Sequence, residues 1–256
     1  MDRFSRFDLT GKVAIITGGY QGIGRGIAEG LAEAGAQIVI CARSFDKCVE
    51  ACAKIREKGV KTLPVRCDIT QKGEVESLVQ KTVQEMGRID ILVNNAGVGG
   101  SEKPILKMSD EDWDLPVSID LKGAFLLARA VVPEMSKEGG GKIINVASIT
   151  AMIAMPNMSA YCASKAGLVQ LTKVMALEFI KYNIQVNALC PGYFLTPMNQ
   201  KFFAGKAGQE IVRKNIPMGR LGKVEELKGA AIYLASSATD FMTGSCLVID
   251  GGQTIW

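Results

Sequence analysis

The sequence contains no histidine among its 256 residues, which excludes zinc chemistry with imidazole ligands. It has no Cys-x-x-Cys either, and Cys48 and Cys52, a pair spaced to share a helix face, do not make a metal site by themselves. No metal is expected. The seven cysteines (Cys41, Cys48, Cys52, Cys67, Cys162, Cys190, Cys246) are odd in number, scattered, and mostly inside apolar runs. They read as buried reduced thiols, not as a disulfide framework. No run of about 18 apolar residues occurs, and the start, Met1 to Asp8, lacks the apolar stretch of a signal peptide. A cytoplasmic protein with no membrane association is expected. The formal charge of +4, from 30 basic and 26 acidic residues, is spread along the chain with no basic block, so no nucleic-acid partner is expected either. Proline-rich and serine-rich linkers and internal repeats are also missing, which leaves a single domain spanning 1–256.

With 48% hydrophobic but only 6% aromatic residues, the core must be built from Val, Ile, Leu, Ala and Met. Short apolar runs alternate with longer amphipathic segments, the pattern of β-α-β units feeding a parallel sheet covered on both faces. Strands are predicted near 12–17, 36–42, 61–66, 89–94, 141–147, 183–190 and 245–249, and helices near 22–34, 45–58, 71–86, 110–136, 159–181 and 223–236. The expected fold is a doubly wound, seven-stranded, Rossmann-type α/β domain. Right-handed crossovers bring the carboxyl ends of its strands to one side, where a ligand binds. The stretch 192–222, rich in Gly and Pro and following a strand end, is expected to be irregular and to serve as a mobile lid.

At the first strand end, Gly18-Gly19-Tyr20-Gln21-Gly22-Ile23-Gly24 turns the chain into a helix. Gly18 suits the tight turn, Gly22 close approach to a pyrophosphate, and Gly24 close packing of helix on sheet, with the phosphates at the helix amino end. After the second strand, Cys41-Ala42-Arg43-Ser44 offers no acid for a ribose 2′-hydroxyl. Arg43 and Ser44 suit a 2′-phosphate, which favours NADP(H). An arginine lying over the adenine face would serve NAD(H) equally well. In Cys67-Asp68-Ile69, Asp68 could accept from the adenine amine or cap the next turn. Asn94-Asn95-Ala96-Gly97 suits close approach to the ribose and strands held in register, or an Asx turn.

Tyr161 and Lys165 stand four residues apart, on one face of any helix that contains them. A phenol ionises near pH 10, and a neighbouring ammonium favours the phenolate and brings it towards working pH as a general acid/base. By itself the spacing is common by chance.

In order and spacing, Thr17-Gly18-x-x-x-Gly22-Ile23-Gly24, Asn94-Asn95-Ala96-Gly97, Ser148, Tyr161-x-x-x-Lys165 and Pro191-Gly192 are similar to the pattern of the short-chain dehydrogenase/reductase family. The chain resembles that family over nearly its whole length. The resemblance implies an NAD(P)-dependent oxidoreductase in which Ser148 hydrogen-bonds the substrate oxygen, Tyr161 exchanges its proton, and Lys165 tunes Tyr161 and holds the nicotinamide ribose. Thr196, in the run from Pro191 and Gly192 through Tyr193 and Phe194, matches the position that contacts the carboxamide. Otherwise it caps the following segment.

One position departs from the family pattern. Where an asparagine usually completes a proton relay from the lysine, the run Ile119-Asp120-Leu121-Lys122-Gly123 places Asp120. A carboxylate there raises the lysine's pKa and partly cancels its effect on the tyrosine, which predicts a higher pH optimum for oxidation. Pro116 is expected to kink the first turn of that helix.

Candidate substrate contacts are Ser148, Ile149, Thr150, Met155, Asn157, Tyr193 and Met198. Met152, Met155 and Met158 could equally be core. The run 191–199 looks like the branch containing gluconate 5-dehydrogenase and other keto-sugar or polyol enzymes. Rival readings are a 3-oxoacyl thioester reductase, given the basic residues Lys201, Lys206, Arg213 and Lys214, and a hydroxysteroid or alicyclic alcohol dehydrogenase. A rival of another class is a non-catalytic dinucleotide-binding scaffold or redox sensor. The family resemblance also implies a homotetramer or homodimer joined through the long helices.

Overall fold

Val13–Thr17 consists of apolar or β-branched residues, all buried, as the centre of a sheet covered on both faces requires. The computed structural model describes residues 5–256. From this run it builds β1 (Val13–Thr17), α1 (Gly22–Glu33), β2 (Gln37–Ala42), α2 (Phe45–Arg56), β3 (Thr62–Arg66), α3 (Lys72–Met86) and β4 (Ile91–Asn94). The second half adds α4 (Asp110–Pro116), α5 (Gly123–Lys137), β5 (Gly141–Val146), α6 (Ser159–Phe179), β6 (Ile184–Pro191), α7 (Gln200–Ala204), α8 (Lys206–Asn215), α9 (Lys228–Ala235) and β7 (Cys246–Ile249).

All strands are parallel, in the order β3-β2-β1-β4-β5-β6-β7. The winding reverses between β1 and β4, and this reversal opens a crevice at the carboxyl ends of the strands. Two cores sandwich the sheet. On one face Ile27 and Leu31 of α1, Ile55 of α2 and Leu234 of α9 pack on Ile16, Ile38 and Ile40. On the other, Leu78 of α3, Leu127 and Val131 of α5 and Met175 of α6 pack on Ile15, Leu92 and Ile143. No helix among the described residues is long and apolar enough to cross a membrane. The cysteines are all unpaired, and burial pushes the Cys48 thiol up to about 11 and that of Cys190 up to about 12.

Four expectations need correction. The helix predicted over 110–136 is three pieces: α4, a π-helical stretch from Val117 to Lys122, and α5. Pro116 ends α4 instead of kinking its first turn; the start of α4 is fixed by a capping box between Ser109 and Asp112. The wide π-turn begins directly after the proline, and Asp120 within it is buried. The stretch 192–222, predicted to be irregular, contains α7 and α8. Its two ends are tied to each other by a bridge in which Leu195 N–H donates to the Gly222 carbonyl and Gly222 N–H to that of Tyr193, both at 2.9 Å. The helix predicted over 223–236 opens as a 3₁₀ turn at Val224–Leu227 before α9.

Candidate active site

A cavity of about 500 Å³ occupies the crevice. At its β1 end, Gly18 and Gly22 have φ of 64° and 54°, a region side chains rarely enter. A Cβ at Gly24 would run into the Asn95 amide and lie 2.7 Å from the Gly18 carbonyl. The bare Gly24 backbone thus makes room for Asn95, whose Nδ2 donates to the Thr17 carbonyl at 2.9 Å. The backbone N–H groups of Asn95 and Ala96 donate to Thr17 Oγ1 at 2.9 and 2.8 Å. Asn94 points the other way and donates to Asn145 Oδ1 at 2.8 Å, holding β4 to β5. Gln21, at the start of α1, provides no side-chain cap, and the first turn carries no acid. The free N–H groups and the helix dipole are therefore left to an anion, and a dinucleotide pyrophosphate fits this cradle.

Further along the wall, Arg43 and Ser44 follow β2 with no acid beside them in the strand end. Asp68 also lines the cavity. Its Oδ1 accepts from the Thr70 N–H at 3.0 Å and hydroxyl at 2.8 Å, so the turn-capping role is realised. Burial works against its ionisation, but these bonds and the charges of Arg43 and Arg66 hold its pKa below the ordinary value.

At the β5 end, Ser148, Tyr161 and Lys165 converge. The Ser148 Oγ accepts the Thr150 N–H at 3.1 Å, capping the turn that follows, and its own O–H remains free to donate into the cavity. Tyr161 lies in the first turn of α6. Lys165, one turn on, places Nζ 5.6 Å from the Tyr161 ring centroid and donates to the Val146 carbonyl at 3.0 Å. Behind it sits Asp120, 2% exposed, with Oδ2 at 3.4 Å from Lys165 Nζ and Oδ1 accepting the Val98 N–H at 2.9 Å. Burial pulls the Lys165 pKa down, yet the Asp120 carboxylate and the Tyr161 phenol outweigh it and the net direction is up. Burial pushes the Asp120 carboxyl up, only partly offset by Lys165 and the Val98 N–H. The arrangement can hold an ammonium beside a phenol that opens onto the cavity, with a second hydroxyl facing the same space.

Most of the residues singled out from sequence line this one cavity: Gly18, Tyr20, Gln21, Gly22, Ile23, Gly24, Arg43, Ser44, Asp68, Ile69, Asn95, Ala96, Gly97, Ser148, Thr150, Met155, Tyr161, Lys165, Gly192, Tyr193, Phe194, Thr196 and Met198. Two do not. Pro191 is buried as the last residue of β6, and Asp120 lies behind Lys165, off the wall. Asn157 is exposed and also off the wall, whereas Met155 and Met158 line it and are not core. Thr196 lines the cavity, and its backbone N–H donates to Asn199 Oδ1 at 2.9 Å, so its own side chain does not provide the expected cap. Val98, Gly99 and Ile119 were not singled out from sequence. Their one visible signal was nearness to the Asn94-Asn95-Ala96-Gly97 run and to Asp120.

A sequence profile described as enoyl-(acyl carrier protein) reductase matches residues 18–254. The chain belongs to the short-chain dehydrogenase/reductase family. It is 42% identical over 249 residues to an NAD-dependent glycerol dehydrogenase of Listeria innocua, covering 97% of this chain and 96% of that one. It is 37% identical over 249 residues to a gluconate 5-dehydrogenase of Gluconobacter oxydans, covering 97% of each. A solved gluconate 5-dehydrogenase from Burkholderia cenocepacia J2315, in complex with NADP and tartrate, superposes with a TM-score of 0.94 at 40% identity over 99% of both chains. Membership makes this chain an NAD(P)-dependent oxidoreductase acting on CH–OH groups, and the non-catalytic scaffold reading is set aside.

Proposed function

We propose that this short-chain dehydrogenase/reductase transfers a hydride between NADP(H) and a secondary alcohol or its ketone of the polyol or keto-sugar type. The observation that carries the reading is the opening of Tyr161, with Lys165 5.6 Å from its ring, onto the cavity that also holds the glycine turn and Arg43. Gly18 to Gly24 would hold the pyrophosphate, Arg43 and Ser44 the 2′-phosphate, and Lys165 the nicotinamide ribose. The bound cofactor supplies or accepts the hydride. Ser148 donates to the substrate oxygen, Tyr161 gives or takes its proton, and the Lys165 ammonium favours the charge that develops there. The polyol reading is supported by the glycerol and gluconate dehydrogenases that the chain resembles. Initial rates against keto-sugars, β-ketoacyl thioesters, cyclic ketones and steroids test it: selective reduction of a thioester or a bulky ketone would replace it by one of the rival substrates.

NAD(H) is the second reading, because the Listeria relative is named NAD-dependent. Arg43→Ala separates the two. Loss of a charge-assisted contact to the 2′-phosphate should lower the NADPH-to-NADH ratio of kcat/KM about tenfold or more. An unchanged ratio places the guanidinium over the adenine and favours NAD(H).

The segment 192–222 acts in this proposal as the lid, with α7 and α8 moving above the pinned pair Phe194 and Gly222. Assembly as a homodimer or homotetramer is also proposed. Leu177 of α6 is 75% exposed, with Val174 of α6 and Phe125 of α5 also exposed, an apolar surface that a second copy would cover. Leu177→Asp should shift the mass measured by light scattering to a smaller species. An unmoved mass would take α6 out of the interface.

A further inference from the structure

The charges around the cavity narrow the substrate class within the hydride-transfer reading, on which this inference rests. Among the described residues, the cavity wall carries the cations Arg43 and Lys165 and the acid Asp68. Arg43 stands at the cofactor end beside Asp68. Lys165 has the Asp120 carboxylate at 3.4 Å behind it. Neither cation therefore leaves an uncompensated positive charge where Ser148 and Tyr161 meet the substrate.

The remaining wall at that end is apolar or neutral: Val98, Ile149, Met155, Met158, Tyr193 and Met198. None of the basic residues of the lid lines this cavity. Arg213 and Lys214 line a separate cleft of about 560 Å³ with Phe203 and Trp256, and Lys214 is paired with Glu210 at 2.6 Å. Lys103 is held by Asp112 at 2.6 Å. A carboxylate entering this space would leave water for a wall with no free cation.

We infer that the site takes an uncharged alcohol or ketone in preference to a substrate bearing a carboxylate. The structure thus separates this enzyme from those that act on sugar acids, although it resembles gluconate 5-dehydrogenases in sequence and fold.

The test uses the purified full chain with NADPH and with NADH. It compares kcat/KM for ketones offered as the acid and as its methyl ester: 5-keto-D-gluconate, levulinate and acetoacetate. Two methylenes insulate the levulinate ketone from its carboxylate, so this pair controls for electrophilicity. The ester should be preferred about tenfold or more in each pair. Acids reduced as well as their esters would overturn the inference and leave hydride transfer standing. If no carbonyl compound is reduced with either cofactor, the hydride-transfer reading itself fails.

Discussion

Tyr161→Phe is expected to lower turnover about 10²–10⁴-fold, the usual contribution of a positioned general acid/base, while NADPH binding, followed by nucleotide fluorescence, stays at the wild-type level. The substitution removes one hydroxyl and keeps the ring beside the Lys165 ammonium. The glycine turn, Arg43 and the Lys165 bond to the Val146 carbonyl are untouched. Ser148 alone can still donate to a substrate oxygen, but no group is left to deliver the proton, so the loss should fall on kcat. An equal loss of nucleotide binding would show that Tyr161 holds the cofactor instead. Turnover at the wild-type level would take the residue out of proton transfer.

The second large effect is expected at Asp120, where Asn and Ala separate electrostatics from structure. Asp120→Asn keeps an acceptor for the Val98 N–H and removes the carboxylate facing Lys165. The ammonium then acts undiminished on Tyr161, so the rising limb of the oxidation profile should move to lower pH, by up to about one unit. Identical profiles would remove Asp120 from the tuning of the site.

Asp120→Ala also strands the Val98 N–H and leaves a buried ammonium unpaired, which should cost about 3–5 kcal/mol in urea denaturation at pH 7. The sign follows from the Lys165 shift. Its folded pKa lies above the ordinary lysine value of 10.5, so its contribution to stability is complete at neutral pH and is lost as pH rises through that raised value. A wild-type-like midpoint for the Ala variant would show that the pair contributes nothing to the fold.

The strands were readable in the chain to within one or two residues because both faces of a central parallel strand are buried, which leaves continuous apolar runs such as Val13–Thr17. The glycine turn was readable for a different reason: positions such as Gly18 and Gly22 need a positive φ that side chains rarely adopt. The break at Val117–Lys122 was not readable. Its residues suit an α-helix as well as a π-turn, and the choice depends on what packs around them. The helices α7 and α8 were hidden in turn by the glycines and prolines that flank them, which read as loop.

By itself, the sequence determined the order of the strands, the glycine turn and the Tyr161–Lys165 spacing, because each depends on local backbone sterics or a one-turn repeat. It also showed an aspartate where the family usually has an asparagine. Only the tertiary structure decided that this carboxylate lies behind the lysine and off the cavity wall, since the π-turn delivers Asp120 to a partner 45 positions away on α6. It likewise decided that the basic residues Arg213 and Lys214 belong to another cleft. Burial and distance set both outcomes, and neither is a property of neighbouring residues in the chain.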